Sequence, residues 1–141
     1  MVTRKNSHVP DVYNGLTLRF RGGSAIDFRV YDDGMAYRFV TAMKESVTVT
    51  NERFGFSLPG GTEALYPLEK GFMSHNECTF HPASMDTTGP GHLASLPVLV
   101  TTGGTNILLT GADIQDYPGL WITGGGHGGV VMGVGADNDF V

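Results

Sequence analysis

The sequence predicts an all-β domain, an antiparallel β-sandwich, and three observations predict it. No stretch carries apolar residues at 3.6-residue spacing over three helical turns. Short runs of Val, Ile, Thr, Phe and Tyr alternate with polar residues instead, which is the two-residue period of half-buried strands. The 21 glycines and 7 prolines fall largely between those runs, where turns belong.

Residues 1–11 are polar, end in Pro10-Asp11 and read as a frayed lead-in. Tyr13 to Phe20 reads as a strand with Leu16, Leu18 and Phe20 on one side and Thr17 and Arg19 on the other, turned by Arg21-Gly22-Gly23-Ser24. Next comes a hairpin around Asp33-Gly34, a dipeptide suited to a two-residue type I′ turn because both central positions need positive φ. That turn predicts a register with Asp32 opposite Met35, Val30 opposite Tyr37, Arg29 opposite Arg38 and Phe28 opposite Phe39. Phe28, Val30, Tyr37 and Phe39 then form a core stripe. The other face carries Asp27, Arg29, Tyr31, Ala36 and Arg38, with two arginines directly across from each other, a destabilising pair unless relieved. Either Asp27 completes an ion cluster there, or the arginines face a partner domain or polar ligand.

Glu45 to Asn51 reads as a strand that Phe54 and Phe56 continue until Pro59-Gly60-Gly61. Thr62 to Gly71 reads as irregular, Phe72 to Phe80 as a strand and Pro82 to Pro90 as a loop. Pro97 to Thr102 is a short strand joined through Gly103-Gly104 to Asn106 to Thr110 as a hairpin. Gly111 to Asp116 reads as one helical turn, Tyr117-Pro118-Gly119-Leu120 as a type II turn and Leu120 to Thr123 as a strand. Gly124 to Val141 is glycine-rich and lacks a closing element. The expectation is one domain over 1–141, a fragment of a larger sandwich, with 1–11 and 130–141 poorly ordered.

At 141 residues the chain cannot hold a (β/α)₈ barrel, which takes roughly 200 or more. Apolar residues at 40% supply a core, while charged residues at 16% fall below the roughly 25% of average domains and predict uncovered apolar surface. Net charge is −5 with 9 Lys and Arg, so no basic stripe exists to neutralise phosphates, and nucleic acid is not an expected partner. No run approaches ~18 apolar residues, so no membrane partner is expected. The start, Met1 to His8, lacks the apolar region of a secretory signal, leaving either a cytoplasmic chain or one whose natural N-terminus is missing. Cys78 is the single cysteine, which excludes an internal disulfide and a multi-cysteine zinc site.

Gly124, Gly126 and Gly129 match the glycine spacing of a dinucleotide-binding turn, but Val130-Val131-Met132-Gly133-Val134 is not a helix start, so a close-packed or flexible loop is expected instead. His75, Glu77, Thr79 and His81 would share one strand face. Six residues of strand span ~20 Å, so His75 and His81 cannot reach one ion, whereas His75 and Glu77 can. Glu63, Glu69, Glu77, Asp86, Asp113 and Asp116 are the carboxylates from which a glycosidase pair ~5 to 10 Å apart would be drawn. Trp121, the single tryptophan, either stacks on a sugar ring or packs in the core.

Three motifs in order resemble the N-terminal domain of glycoside hydrolase family 97: Tyr13-Asn14-Gly15-Leu16, the Phe28 to Phe39 hairpin, and Thr110-Gly111-Ala112-Asp113-Ile114-Gln115-Asp116-Tyr117-Pro118-Gly119-Leu120. Ser74-His75-Asn76-Glu77 and Pro90-Gly91-His92-Leu93-Ala94-Ser95-Leu96-Pro97 fit the same family, so the resemblance covers roughly Val12 to Gly129. It implies a super-sandwich-like β domain of a bacterial, periplasmic or secreted α-glucosidase or α-galactosidase. In such enzymes the catalytic groups lie in a (β/α)₈ barrel, and this domain docks on the barrel and helps wall the substrate pocket. The resemblance also implies an active-site calcium held in part by a glutamate of this domain. That glutamate aligns with Gly111, which has no side chain, and Asp113 is the substitute oxygen donor two residues on. Asn76 stands where the family has a tyrosine. His75, Glu77, Asp113 and Trp121 are the resulting candidates for carbohydrate contact, with no catalytic residue in this chain. Three functions follow: a non-catalytic carbohydrate-contacting domain, part of a working α-glycosidase whose barrel is supplied elsewhere, or a self-standing sugar-binding or structural module. Exposed sheet surface predicts self-association.

Overall fold

A computed structural model of the protein describes residues 8–46, 52–112, 119–124 and 129–134, the last by backbone alone. Among the described residues there are eleven strands and no helix, and every pairing is antiparallel, so the all-β, sandwich-like class expected from the alternation is the one found. Chain contacts divide it into two compact units, Met1–Thr48 and Val49–Val141.

The first unit is a three-stranded meander of β1 (Asn14–Arg19), β2 (Ala25–Val30) and β3 (Met35–Val40). Its hairpin register differs from the expected one by two residues. Val30 lies opposite Met35, Phe28 opposite Tyr37 and Asp27 opposite Arg38. The turn is centred on Asp32-Asp33, with the Tyr31 N–H donating to the Gly34 carbonyl at 2.8 Å, and Gly34 is not among the residues of positive φ. Electrostatics give the reason. The shifted register replaces an Arg29–Arg38 pair with an Asp27–Arg38 pair, whose charges meet at 3.1 Å, and sets Arg29 against Ala36. Arg29 finds Asp11 at 3.3 Å and lies 4.4 Å from the centre of the Tyr13 ring. The Thr17 hydroxyl adds a 2.7 Å hydrogen bond to Asp27. This polar face is therefore an ion cluster.

A shift of two preserves which residues share a face. Phe28, Val30, Tyr37 and Phe39 lie together as expected, with Leu16, Leu18, Ile26 and Met35 on the same face, but they do not form a closed core: Leu16 is 57% exposed and Met35 61%.

The second unit orders its strands β4-β11-β10-β7-β5-β8-β9, with β6 paired to β5. These are β4 (Arg53–Ser57), β5 (Glu63–Glu69), β6 (Phe80–Ser84), β7 (Leu93–Ser95), β8 (Val98–Thr102), β9 (Thr105–Leu109), β10 (Leu120–Gly124) and β11 (Gly129–Val134). Strand β5 is the junction. Its residues 63–67 pair with β6, 63–65 also with β8, and Leu68 and Glu69 pair with β7. The core lies around it: Ala64, Tyr66, Met85, Ala94, Val98, Val100 and Ile122 are buried, with Phe54, Phe56, Leu58 and Leu109 packed against them. Each large buried aliphatic side chain contributes about 1.5–3 kcal/mol. The Tyr66 hydroxyl donates to Met85 Sδ at 2.9 Å, and burial raises its pKa, so it remains the donor.

Several expectations fail here. Thr62 to Gly71, read as irregular, contains β5, because Ala64 and Tyr66 alternate inward against Glu63 and Leu65. Phe72 to Phe80, read as a strand, is a loop apart from Phe80, and Pro82, read as loop, lies in β6, which pairs only with β5 among the described residues. An edge tolerates the missing proline N–H. The predicted Gly103-Gly104 hairpin forms: both residues have positive φ, 54° and 79°, between paired Thr102 and Thr105. Gly129–Val134, in a region where poor order was expected, is strand β11 between β4 and β10. The strand read over Glu45 to Asn51 lies mostly outside the described residues, as do the helical turn from Asp113 onward and the turn at Tyr117-Pro118.

Candidate functional site

Residues 70–79 join β5 to β6 and carry two of the four candidate contact residues. Side chains here compete with a strand ladder for the backbone donors. The Asn76 N–H donates to Ser74 Oγ at 3.0 Å, and the Glu77 N–H donates to His75 Nδ1 at 3.2 Å. Asn76 adopts φ 59°, the left-handed conformation that asparagine tolerates better than most residues. The result is a tight turn that projects His75 and Glu77 outward, with side chains 77% and 85% exposed and His75 Nδ1 3.9 Å from Glu77 Oε2. Because Nδ1 accepts the Glu77 N–H, its lone pair is in use and the carboxylate approach is not a charged pair in that state.

The loop is tied to the sheet by Glu69, the last residue of β5. Its Oε2 accepts from Ser74 Oγ at 2.6 Å and from Cys78 Sγ at 3.1 Å, and its Oε1 accepts from Ser95 Oγ of β7 at 2.9 Å. These bonds, Ser74 foremost, hold the Glu69 pKa below the usual carboxylate value. The same carboxylate pushes the Cys78 thiol pKa up, which makes Cys78 a donor and the opposite of an activated nucleophile. Beside Glu69 lies a cleft of about 520 Å³ lined by Leu68, Lys70, Met73, Ser74, His75 and Cys78 among others.

Trp121 of β10 lies directly opposite Ser95 and on the same face. Phe72 of the loop meets its ring edge-on, with centroids 5.3 Å apart and planes at 88°. Trp121 is half-buried, so the structure gives it a packing role, while Phe72 is the more open aromatic of the pair at 42% exposed. Phe72 thus ties the loop that carries His75 and Glu77 to Trp121 of β10. Asp113, the fourth candidate, lies outside the described residues.

His81 is not part of this group: it sits on β6 opposite Tyr66, so the single strand face of His75, Glu77, Thr79 and His81 does not exist. Among the described residues no three His, Cys, Asp or Glu side chains could hold a metal ion together. Gly111 offers only a carbonyl oxygen, which accepts the Thr110 hydroxyl at 3.3 Å, and Asp113, the other oxygen donor expected for calcium, lies outside the described residues. Asp86 is committed to the Gly61 N–H at 2.8 Å. The glycine spacing at 124, 126 and 129 has a packing explanation at its first member. A Cβ on Gly124 would meet the Thr88 and Gly89 backbone at about 2.4 Å, and strand β11, not a helix, begins at Gly129.

The described part of this unit is thus an antiparallel β structure that carries a tethered polar loop beside a cleft. The family described as Glycosyl-hydrolase 97 N-terminal matches residues 1–137, and the chain belongs to that family. It is 32% identical over 127 residues to a retaining alpha-galactosidase of Bacteroides thetaiotaomicron, an alignment covering 83% of this chain and 19% of that protein. The chain thus spans about a fifth of the length of that relative.

Sequence reasoning missed Glu69 as an anchor. Its only signal was a carboxylate followed within nine positions by Ser74 and Cys78, and Ser95 comes near it only through the pairing of β5 with β7.

Proposed function

We propose that this chain is a non-catalytic, carbohydrate-contacting domain of a family 97 α-glycosidase, which lines part of a substrate pocket and docks on a (β/α)₈ catalytic barrel. The observation that carries the sugar-contact role is the outward His75-Asn76-Glu77 turn, on a loop that Glu69 tethers through Ser74 beside a cleft that His75 helps to line. An imidazole, an amide and a carboxylate on one turn supply both donors and acceptors for sugar hydroxyls. An α-galactoside is the first ligand class to examine, since the relative is a retaining alpha-galactosidase, and an α-glucoside the second. The exposed apolar face of β1–β3 supports the docking role, and in the isolated chain it would drive self-association. As part of such an enzyme the domain would work in the periplasm or outside the cell. No part of this role requires calcium from the described residues.

Calorimetric titration of the chain with melibiose and with maltose tests the reading: saturable heat with melibiose supports it, and none with either sugar contradicts it. The second reading, a chain that belongs to a working α-galactosidase with its barrel supplied elsewhere, is favoured by the relative's activity. Turnover of nitrophenyl α-galactoside only after a barrel is added supports that reading. Turnover by the chain alone would overturn the non-catalytic role.

A further inference from the structure

We propose that Glu69 is the positioning residue of the sugar-contact loop, an ionised latch whose protonation releases residues 70–79 and with them the geometry of His75 and Glu77. This rests on the carbohydrate reading for its purpose, but not for its test. Three donors from two separate elements converge on one carboxylate: Ser74 and Cys78 from the loop and Ser95 from β7. A carboxylate accepts at both oxygens simultaneously, whereas a protonated acid or an amide turns one of those positions into a donor facing other donors. Hydrogen bonds to an ionised acceptor are the stronger kind, so the loop's tether depends on the charge.

The charged and titratable groups around it are few. Lys70 and His75 line the same cleft, Cys78 donates to it, and His81 lies on β6. Strands β7, β8 and β10 bring none, since Leu93-Ala94-Ser95, Val98 to Thr102 and Leu120 to Gly124 contain no ionisable side chain. The sign follows. Glu69 has a lowered pKa, so the latch is fully formed above the usual glutamate range and is lost as pH falls through the lowered value.

Cys78 is a built-in reporter, because a latched thiol is engaged with Glu69 and a released one is free. Labelling with dipyridyl disulfide, which reacts in acid as well as at neutral pH, measures release once each rate is divided by that of a small free thiol at the same pH, because the thiolate is the attacking species and its fraction falls in acid. Glu69→Gln is expected to label about tenfold faster than wild type at neutral pH, the effect of losing one hydrogen bond to a charged acceptor, and to lose the acid-dependent rise expected of wild type. His75→Gln is expected to keep that rise, which assigns it to Glu69. Equal neutral-pH rates in wild type and Glu69→Gln, or a wild-type rate that stays flat into acid, overturn the latch. If Glu69→Gln does not fold, the wild-type profile and Ser95→Ala, expected to label faster, decide the same question. Melibiose added to wild type separates the two ideas: failure to slow labelling counts against the sugar reading alone, while an altered profile in Glu69→Gln stands or falls without sugar.

Discussion

Replacing Gly124 with alanine tests how tightly β10 is set against the segment after β6. A Cβ there would lie 2.4 Å from both the carbonyl carbon and oxygen of Thr88 and 2.5 Å from the Gly89 oxygen, about 1 Å inside ordinary contact. All three obstacles are backbone atoms, so no rotamer change relieves them. Thr88 cannot drift freely, since its side chain is buried and its hydroxyl donates to the Met85 carbonyl at 3.0 Å. Moving β10 away instead would strain the Gly124 N–H bond to the His92 carbonyl, 3.3 Å, and unseat Ile122, which is 1% exposed. Overpacking of this kind costs about 1–3 kcal/mol, and loss of the hydrogen bond adds about 1. At roughly 4–8 °C per kcal/mol for a unit the size of Val49–Val141, in which Gly124 lies, the melting temperature should fall by about 8–30 °C. Gly60→Ala is the control, because nothing lies within 4 Å of its added Cβ and its φ is not positive. Thermal unfolding followed by circular dichroism reads both variants. A Gly124→Ala melting temperature within about 2 °C of wild type, a shift of only a few tenths of a kcal/mol, would refute the packing argument.

The hairpin register separates two glycines that the sequence made equivalent: Gly103→Ala, at φ 54°, should cost about 1–2 kcal/mol in chemical denaturation, whereas Gly34→Ala should cost little, and an equal loss at both would restore the type I′ turn at Asp33-Gly34. Asp27, held low first by the Thr17 hydroxyl and then by Arg38, should titrate below the usual aspartate range by NMR, and Thr17→Val should move its midpoint back up. Its share of stability is therefore present above the usual aspartate value and lost as pH falls through the lowered one, and a midpoint indifferent to Thr17 would remove that bond from the account.

Legibility followed the range of the interactions that decide each element. Strands β1, β2, β3, β8, β9 and β10 were readable because local alternation and flanking glycines determine them, Gly103-Gly104 most directly. Register was not, since the choice between Asp33-Gly34 and Asp32-Asp33 turns on where Asp27 lands relative to Arg38, a cross-strand matter. Strand β5 was hidden by Pro67, which lowers any local strand score although Ala64 and Tyr66 are deep in the core. The converse error, a strand over 72–80, falls where Ser74 Oγ and His75 Nδ1 accept from the Asn76 and Glu77 backbone N–H groups and Asn76 turns the chain at φ 59°. Family membership was legible in ordered motifs of contiguous residues, and the His75 and Glu77 neighbourhood within one of them. Glu69 was not, because Ser95 reaches it only through the sheet.

The central claim is that this domain meets sugar through the 70–79 loop without reacting with it. Isothermal titration of melibiose into wild type and into His75→Ala/Glu77→Ala, with nitrophenyl α-galactoside assayed on the same wild-type sample, tests it most directly. Saturable binding in the millimolar range, about −4 kcal/mol, lost in the double variant and unaccompanied by hydrolysis, is the result predicted. Binding that is absent in wild type, or unchanged in the double variant, or hydrolysis by the chain alone, would contradict it.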